Sequence, residues 1–242
     1  MPIANPLFHH ADPVTLQALV RAHPLATLVL AQGGTLCVNH VPLWWPEASA
    51  SASASASASA SAPASAPAPD AGDATAAGED EADGSVLWGH VGRGNALWHA
   101  LPQPVVAVFH GPDAYVSPSD YPSKAEHGRV VPTWNYRAVH AHGTLHAVHD
   151  RAVLRQLLAR LTHTHESARP VPWTLDDAPP GYIDTLLSGI VGVRLQVARW
   201  EGVDKLSQNR SAADRAGVVQ GLQQRGDPYS RAVALAMQAR EG

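Results

Sequence analysis

Ile190-Val191-Gly192-Val193-Arg194-Leu195-Gln196-Val197-Ala198-Arg199-Trp200 sets Val191, Val193, Leu195 and Val197 at every second position, with smaller or polar residues between them. A period of two marks a strand with one buried face. The same signature recurs along the chain. Residues 25–31 form an apolar run that ends at Gly33-Gly34, a turn pair suited to a hairpin. The stretches 35–44 and 85–91 are rich in β-branched and aromatic residues, and further strands are expected at 105–110, 114–117, 130–136 and 138–148.

Helices are expected at intervals between these strands. Asp12-Pro13 reads as an N-cap followed by proline at the first helical position, with Leu16, Leu19 and Val20 at helical spacing after it and Pro24 as the stop. Residues 95–101 read as a short helical piece. Asp150 caps a helix carrying Leu154, Leu157, Leu158 and Leu161 on one face, and another is expected over 182–188. Ser211 and Asp214 open a helical C-terminal segment, 211–242. Many short strands with occasional helices, and no regular strand–helix alternation, predict an α+β domain, mainly antiparallel and barrel-like, with peripheral helices. One domain over 1–242 is expected.

Residues 47–84 interrupt this pattern. A Ser-Ala alternation gives way to prolines and then to an acidic run, and no large side chain is present to offset the entropy of ordering. The segment reads as a disordered insertion at the tip of a hairpin made by 35–44 and 85–91. A long loop there is tolerable because closure entropy grows only logarithmically with length.

Composition limits the function. The formal net charge is −4, which disfavours a surface that binds nucleic acid by bulk phosphate neutralisation. The single cysteine, Cys37, excludes an intrachain disulfide and lies in an apolar strand pattern, where it is expected buried and inert. There is neither a signal-peptide pattern at the N-terminus nor an apolar run long enough to span a bilayer, so a cytoplasmic, non-membrane protein is expected. No nucleophile motif or Gly-rich phosphate loop occurs, and no catalytic residue is assigned.

Four polar clusters fall at strand ends: Asn39-His40; the stretch holding His90, Arg93 and Asn95; the stretch holding Ser117, Ser119 and Lys124; and the stretch holding Lys205, Gln208 and Arg210. Arg93, Lys124, Lys205 and Arg210 can each meet a phosphate, with Ser, Thr and Asn beside them as neutral donors. Taken in order, Gly89-His90-Val91-Gly92-Arg93-Gly94-Asn95, Tyr115-Val116-Ser117-Pro118-Ser119, Tyr121-Pro122-Ser123-Lys124, Val131-Pro132-Thr133-Trp134-Asn135-Tyr136 and Lys205-Leu206-Ser207-Gln208-Asn209-Arg210-Ser211 resemble the PaiB family of FMN-binding regulators, and Asn39-His40-Val41-Pro42 fits too. The resemblance spans the chain outside 47–84, with Gly92 where the family more commonly has alanine.

The resemblance implies an FMN-binding split β-barrel, a homodimer with flavin at the subunit interface, and a negative transcriptional regulator with DNA or a regulatory protein as partner. Asn39, His40, His90, Arg93, Asn95, Ser117, Ser119, Lys124, Thr133, Trp134, Asn135, Lys205, Gln208 and Arg210 become the expected cofactor-binding residues. Trp134, Asn135 and Tyr136 would offer an aromatic wall to the isoalloxazine ring, although core packing or a dimer contact explains Trp134 equally well. The alternative function is a flavin-dependent oxidoreductase acting on a small substrate. The helix opened by Ser211 carries only Arg215 as a base over 211–223, which does not make a recognition helix.

Fourteen histidines are a high count for this length. His140, His142 and His146 fall on one strand face with Thr144, opposite Val139, Ala141 and Leu145. A His-x-His pair can ligate zinc, copper or iron, or support a haem. No carboxylate or cysteine completes the set in sequence, so the face is read as polar or interfacial and no metal ligand is assigned. His163 and His165, two apart on a helix, are read as surface groups.

Overall fold

The computed structural model describes residues 6–10, 12–46 and 85–240. The expectation for 47–84 lies outside the described residues. Seven strands, β1 (His9–His10), β2 (Leu25–Gln32), β3 (Thr35–Pro42), β4 (Val86–Gly92), β5 (Gln103–Val116), β6 (Thr133–Val148) and β7 (Ile190–Lys205), hydrogen-bond in the order β1-β7-β6-β5-β2-β3, with β4 also on β7. Six α-helices accompany them among the described residues: α1 (Pro13–Ala22), α2 (Ser123–His127), α3 (Arg151–Glu166), α4 (Tyr182–Leu187), α5 (Ala212–Arg225) and α6 (Pro228–Ala239). The chain divides into two compact units, the first of residues 1–40, 105–143 and 198–242, the second of 41–104 and 144–197.

In the first unit β2 pairs antiparallel with β5, Thr27 opposite Val108 and Leu30 opposite Val105, and β1 pairs with the far end of β7. Gly33 and Gly34 both have positive φ, 57° and 79°, which the tight β2–β3 turn requires and glycine supplies without steric cost. Asp12 caps α1 by accepting from Thr15 N at 2.9 Å and Thr15 Oγ1 at 2.6 Å. Ser211 caps α5 by accepting from Asp214 N at 3.1 Å; Gly226 ends it at φ 74°, and Asp227-Pro228 starts α6 immediately. The two helices pack a core of Val218, Leu222, Val233, Ala234 and Met237 onto Val116, Tyr121 and Leu206.

In the second unit β4 pairs with β7 along its whole length, Val86 opposite Gln196 through Gly92 opposite Ile190. Of the hairpin expected from 35–44 and 85–91, the described residues show an isolated antiparallel bridge between Trp44 and Trp88, made by N···O bonds of 2.6 and 2.9 Å. The chain does run close beside β4, since a Cβ at Gly89 would stand 2.6 Å from Pro42 O. Asp150 caps α3 through Ala152 N and Val153 N, and Leu154 packs with Ile183 and Leu187 while Leu157 packs with Val86 and Trp88.

Three strands are longer than expected. β5 runs unbroken through Gly111-Pro112, where both residues are buried and the in–out alternation slips by one. The glycine lets neighbours approach closely there, since a Cβ would lie 3.0 Å from Leu19 Cδ1 and 3.1 Å from Arg137 Cβ. β6 fuses the two segments expected at 130–136 and 138–148, with Ala138 and Val139 both buried at the join. β7 continues past Trp200 to Lys205. Cys37 is half-buried rather than buried, with Sγ 3.7 Å from Gln32 Oε1.

Packing of α5 against the turn before α2 depends on two missing side chains. A Cβ at Gly217 would come 2.3 Å from Asp120 O, and one at Gly221 would come 2.4 Å from Asp120 Oδ1. Gly→Ala normally strengthens a helix by about 0.5–1 kcal/mol. Here the clash is with backbone, so Gly217→Ala is expected to destabilise the protein by about 1–3 kcal/mol, read as a lowered urea midpoint.

Candidate functional site

The start of β6 places Trp134 and Tyr136 outward and Asn135 inward. Trp134 is 53% exposed and Asn135 fully buried. Core packing therefore does not account for Trp134. The Tyr115 ring, also exposed, meets Trp134 edge-on with centroids 6.1 Å apart. At the end of β7 the Lys205 ammonium donates to Thr133 Oγ1 at 2.5 Å and to the Trp134 carbonyl at 2.6 Å. Both partners are neutral, and among the described residues no carboxylate pairs with Lys205. Burial pulls its ammonium below the usual lysine range.

Asn135 fixes the chain that follows β7. Its amide donates to Ser207 Oγ at 2.9 Å, the hydroxyl lies 3.1 Å from Asn135 Oδ1, and Met237 Sδ sits 3.4 Å from Nδ2. Ser207 has φ 64°, which costs a non-glycine residue energy and persists only where its surroundings hold it. Gln208 closes the same turn by accepting from Leu206 N at 2.7 Å and donating to Asp204 O. Asp204 in turn receives Arg137 as a two-bonded fork at 2.8 and 3.0 Å. The Arg210 guanidinium lies over the Tyr121 ring, 4.8 Å from its centroid.

A second polar group lies on the turn after β5. Ser117 caps it, accepting from Ser119 N at 3.1 Å while Asp120 Oδ2 accepts from Ser117 N at 3.2 Å. Lys124 Nζ donates to Ser119 Oγ at 3.0 Å and is likewise without a carboxylate partner among the described residues. Ser119, Lys124, Gln220 and Gln224 line an open cleft of about 590 Å³. Arg225 bonds Tyr115 O and pairs with Asp120 at 3.0 Å. Asn39 and His40 stand on β3, where His40 Nδ1 is 3.2 Å from Thr27 Oγ1.

The second unit holds the other three expected site residues. His90 lies on β4 opposite Gly192, with a buried Nδ1 that has no hydrogen-bond partner among the described residues. Arg93 bridges to the turn before β7: Nε donates to Ser188 O at 2.9 Å, Nη2 to Ile190 O at 3.4 Å, and its backbone N–H to Gly189 O at 2.8 Å. Asn95 caps the short 3-10 turn 96–100 by accepting from Leu97 N at 2.9 Å. The expected residues thus gather as Thr133–Trp134–Lys205 and as Ser117–Ser119–Lys124 in the first unit. Sequence reading left out Tyr115 and Arg225 as site residues. Tyr115 lay in a quoted motif, whereas Arg225 sits 110 positions from the carbonyl it meets.

Exposed aromatic faces beside an ammonium held only by neutral oxygens, with hydroxyls adjacent, form a donor set that fits a planar ligand carrying a phosphate. The family described as "Putative FMN-binding domain" matches residues 3–199. A protein of Aspergillus fumigatus is 36% identical over 156 residues, which cover 58% of this chain and 60% of that protein. The protease synthase and sporulation protein PAI 2 of Bacillus subtilis is 32% identical over 154 residues, 63% of this chain and 72% of that one. The flavocytochrome Anf3 of Azotobacter vinelandii superposes with a TM-score of 0.54 at 15% identity, covering 86% of this chain and 75% of its own. At that identity the likeness shows the fold alone.

The fold is that of the flavin-binding split β-barrels, built on a mainly antiparallel sheet that does not close. The chain belongs to the FMN-binding family that includes PaiB, and FMN is its cofactor. The family match ends at 199, before Lys205, Gln208 and Arg210, so the placement of those three rests on geometry alone. No helix among the described residues is long and apolar enough to cross a membrane.

Burial also sets a pH response. His90 is held below the ordinary imidazole value of 6.5 by burial, and His146 by burial and then by the Arg194 guanidinium. The unfolded chain takes up these protons first. Their contribution is complete above pH 6.5 and is lost as pH falls through the lowered native values. The thermal midpoint is expected to hold between pH 7.5 and 6.5 and to fall by pH 5.5, with a shallower fall in His90→Gln.

Proposed function

We propose that the chain is a PaiB-type regulatory protein whose FMN lies against the Trp134–Tyr136 face of β6, with its phosphate on Lys205 and Thr133. The observation that carries this is the pairing of an exposed Trp134 with an ammonium whose partners among the described residues are neutral. A phosphate would give Lys205 the counter-charge its half-buried position lacks, and the Thr133 hydroxyl would be a neutral donor to it. Lys124 and Ser119 offer a second phosphate-type donor pair in the neighbouring motif. Bound FMN would supply the one- and two-electron chemistry, while these side chains bind and orient it.

Regulation is the reading suggested by the name of the Bacillus subtilis relative, which ties that protein to protease synthesis and sporulation. Direct base reading by α5 is disfavoured. Arg225 is committed to Tyr115 O and Asp120, Arg215 donates to the Arg210 carbonyl, and net charge is −4. A protein partner suits these features better than DNA. The flavin-oxidoreductase alternative is favoured by the openness of the Trp134 face, which lets a small reductant approach. Flavin bleaching by NAD(P)H at a catalytic rate would select it over regulation.

The site is tested by comparing FMN with riboflavin. Lys205→Met is expected to weaken FMN binding by about 10–100-fold, the loss of one charge-assisted contact, and to leave riboflavin binding nearly unchanged. Trp134→Ala is expected to weaken both ligands while shifting stability by less than about 0.5 kcal/mol. Equal loss of FMN and riboflavin in Lys205→Met would remove the phosphate assignment.

A homodimer forms part of the same proposal. β3 ends the strand order and presents Leu36 and Val38, 72% and 57% exposed, with Leu25 exposed on β2. An apolar end strand left open to water invites pairing or burial. Wild type is expected to sediment as two chains and the Leu36→Asp, Val38→Asp double variant as one.

A further inference from the structure

We propose that His140, His142 and Glu201 bind a divalent first-row transition-metal ion, zinc or iron(II), at a site separate from the residues assigned to flavin. His140 and His142 stand two apart on β6 and share a strand face, while Glu201 comes from β7, the neighbouring strand. Their ligand atoms all lie within 4.8 Å of one another. Glu201 Oε2 is 3.1 Å from His142 Nε2 and 3.6 Å from His140 Nδ1. A tetrahedral ion with bonds of about 2.0–2.1 Å has ligand–ligand edges of roughly 3.3–3.4 Å. Two of the three edges are therefore already close to bonding length. The rings are turned 78° to each other, which lets one offer Nδ1 and the other Nε2 to a common point.

The surroundings also suit an ion. Glu201 is buried, 7% exposed, and its other oxygen, Oε1, is held by the Arg199 guanidinium. That contact orients the carboxylate and leaves Oε2 free to ligate, as outer-shell partners of metal ligands do. Both imidazoles turn a ring nitrogen toward the same carboxylate oxygen, so the three ligand atoms converge on one point. Burial favours neutral rings, the form that offers a lone pair. Both rings remain partly open to solvent, so a fourth position could take water or a small ligand. The carboxylate missing from the sequence reading of the His-x-His pair is Glu201, 59 positions beyond His142.

The test uses the full chain, without an affinity tag, stripped by a chelator and dialysed. Zn²⁺ is titrated against a chromogenic chelator, Fe²⁺ is titrated anaerobically by calorimetry, and Co²⁺ serves as an optical reporter of geometry. One equivalent is expected, with intense tetrahedral or five-coordinate Co²⁺ bands. Affinity should fall at least about tenfold in His142→Ala and in Glu201→Gln, and stay unchanged in the surface variant His165→Ala. The ion that binds more tightly in direct competition identifies the occupant. Wild type that retains no equivalent, or gives only the weak octahedral Co²⁺ spectrum of a hydrated ion, overturns the proposal. So do His142→Ala and Glu201→Gln variants that bind as wild type does. Because Glu201→Gln removes the charge that pairs Arg199 as well as the proposed ligand, the wild-type Co²⁺ spectrum and the partly exposed His142→Ala variant decide the matter without it.

Discussion

The buried bond between Asn135 and Ser207 is the constraint on which the first unit's polar arrangement rests. A serine at φ 64° would relax to an extended or helical conformation if nothing opposed it. The Asn135 amide opposes it from inside the core, where an unpaired amide or hydroxyl would cost about 1–3 kcal/mol. With Ser207 so held, the chain leaves β7 sharply and Gln208 closes the turn on Leu206 and Asp204. Lys205, two residues earlier, is thereby directed to Thr133 and the Trp134 carbonyl. One core amide thus governs where the ammonium stands.

Strand period does the rest. Along β6 the residue between two outward aromatics is the inward Asn135, so the core bond and the aromatic face are consequences of one alternation. At Ala138 and Val139 two consecutive residues are buried, yet the parity is kept on either side. Even-numbered His140 and His142 turn partly outward as Trp134 and Tyr136 do, while Val139, Ala141 and Leu145 fill the core. The outward positions of a single strand therefore carry two chemically different stretches, aromatic before the buried pair and histidine after it.

Much of this was legible in sequence, because the signals were local. The Asp12-Pro13 and Asp150 caps, the Gly33-Gly34 turn, the β7 alternation and the histidine face all depend on residues within a few positions of one another. Even the α5–α6 break was written as Gly226-Asp227-Pro228, although 211–242 was read as one helical segment. What could not be read was partnership across long separations. Strand breaks are expected from the sequence at Gly111-Pro112 and near Arg137, yet both strands run on. At the first of them the glycine admits Leu19 and Arg137 against the backbone. The expected 35–44 and 85–91 hairpin follows from adjacency in sequence, whereas the ladder of β4 on β7 joins residues about a hundred positions apart. Glu201 was invisible as a histidine partner for the same reason.

Motif position and site chemistry also part company at the cations. Arg93 and Lys205 both sit in motifs that carry the family resemblance, and either could be nominated as a phosphate ligand from sequence. Arg93 spends Nε and Nη2 on the carbonyls of Ser188 and Ile190, and its backbone N–H on Gly189, so it ties β4 to the turn that opens β7. Those two side-chain bonds take two of the five guanidinium N–H groups and fix where the other three point. Lys205 has three hydrogens, and its two partners, a hydroxyl and one carbonyl, leave one to offer beside Trp134. The difference between the two lies in what each cation already holds, which is set by the fold around it and not by the residue type or its motif.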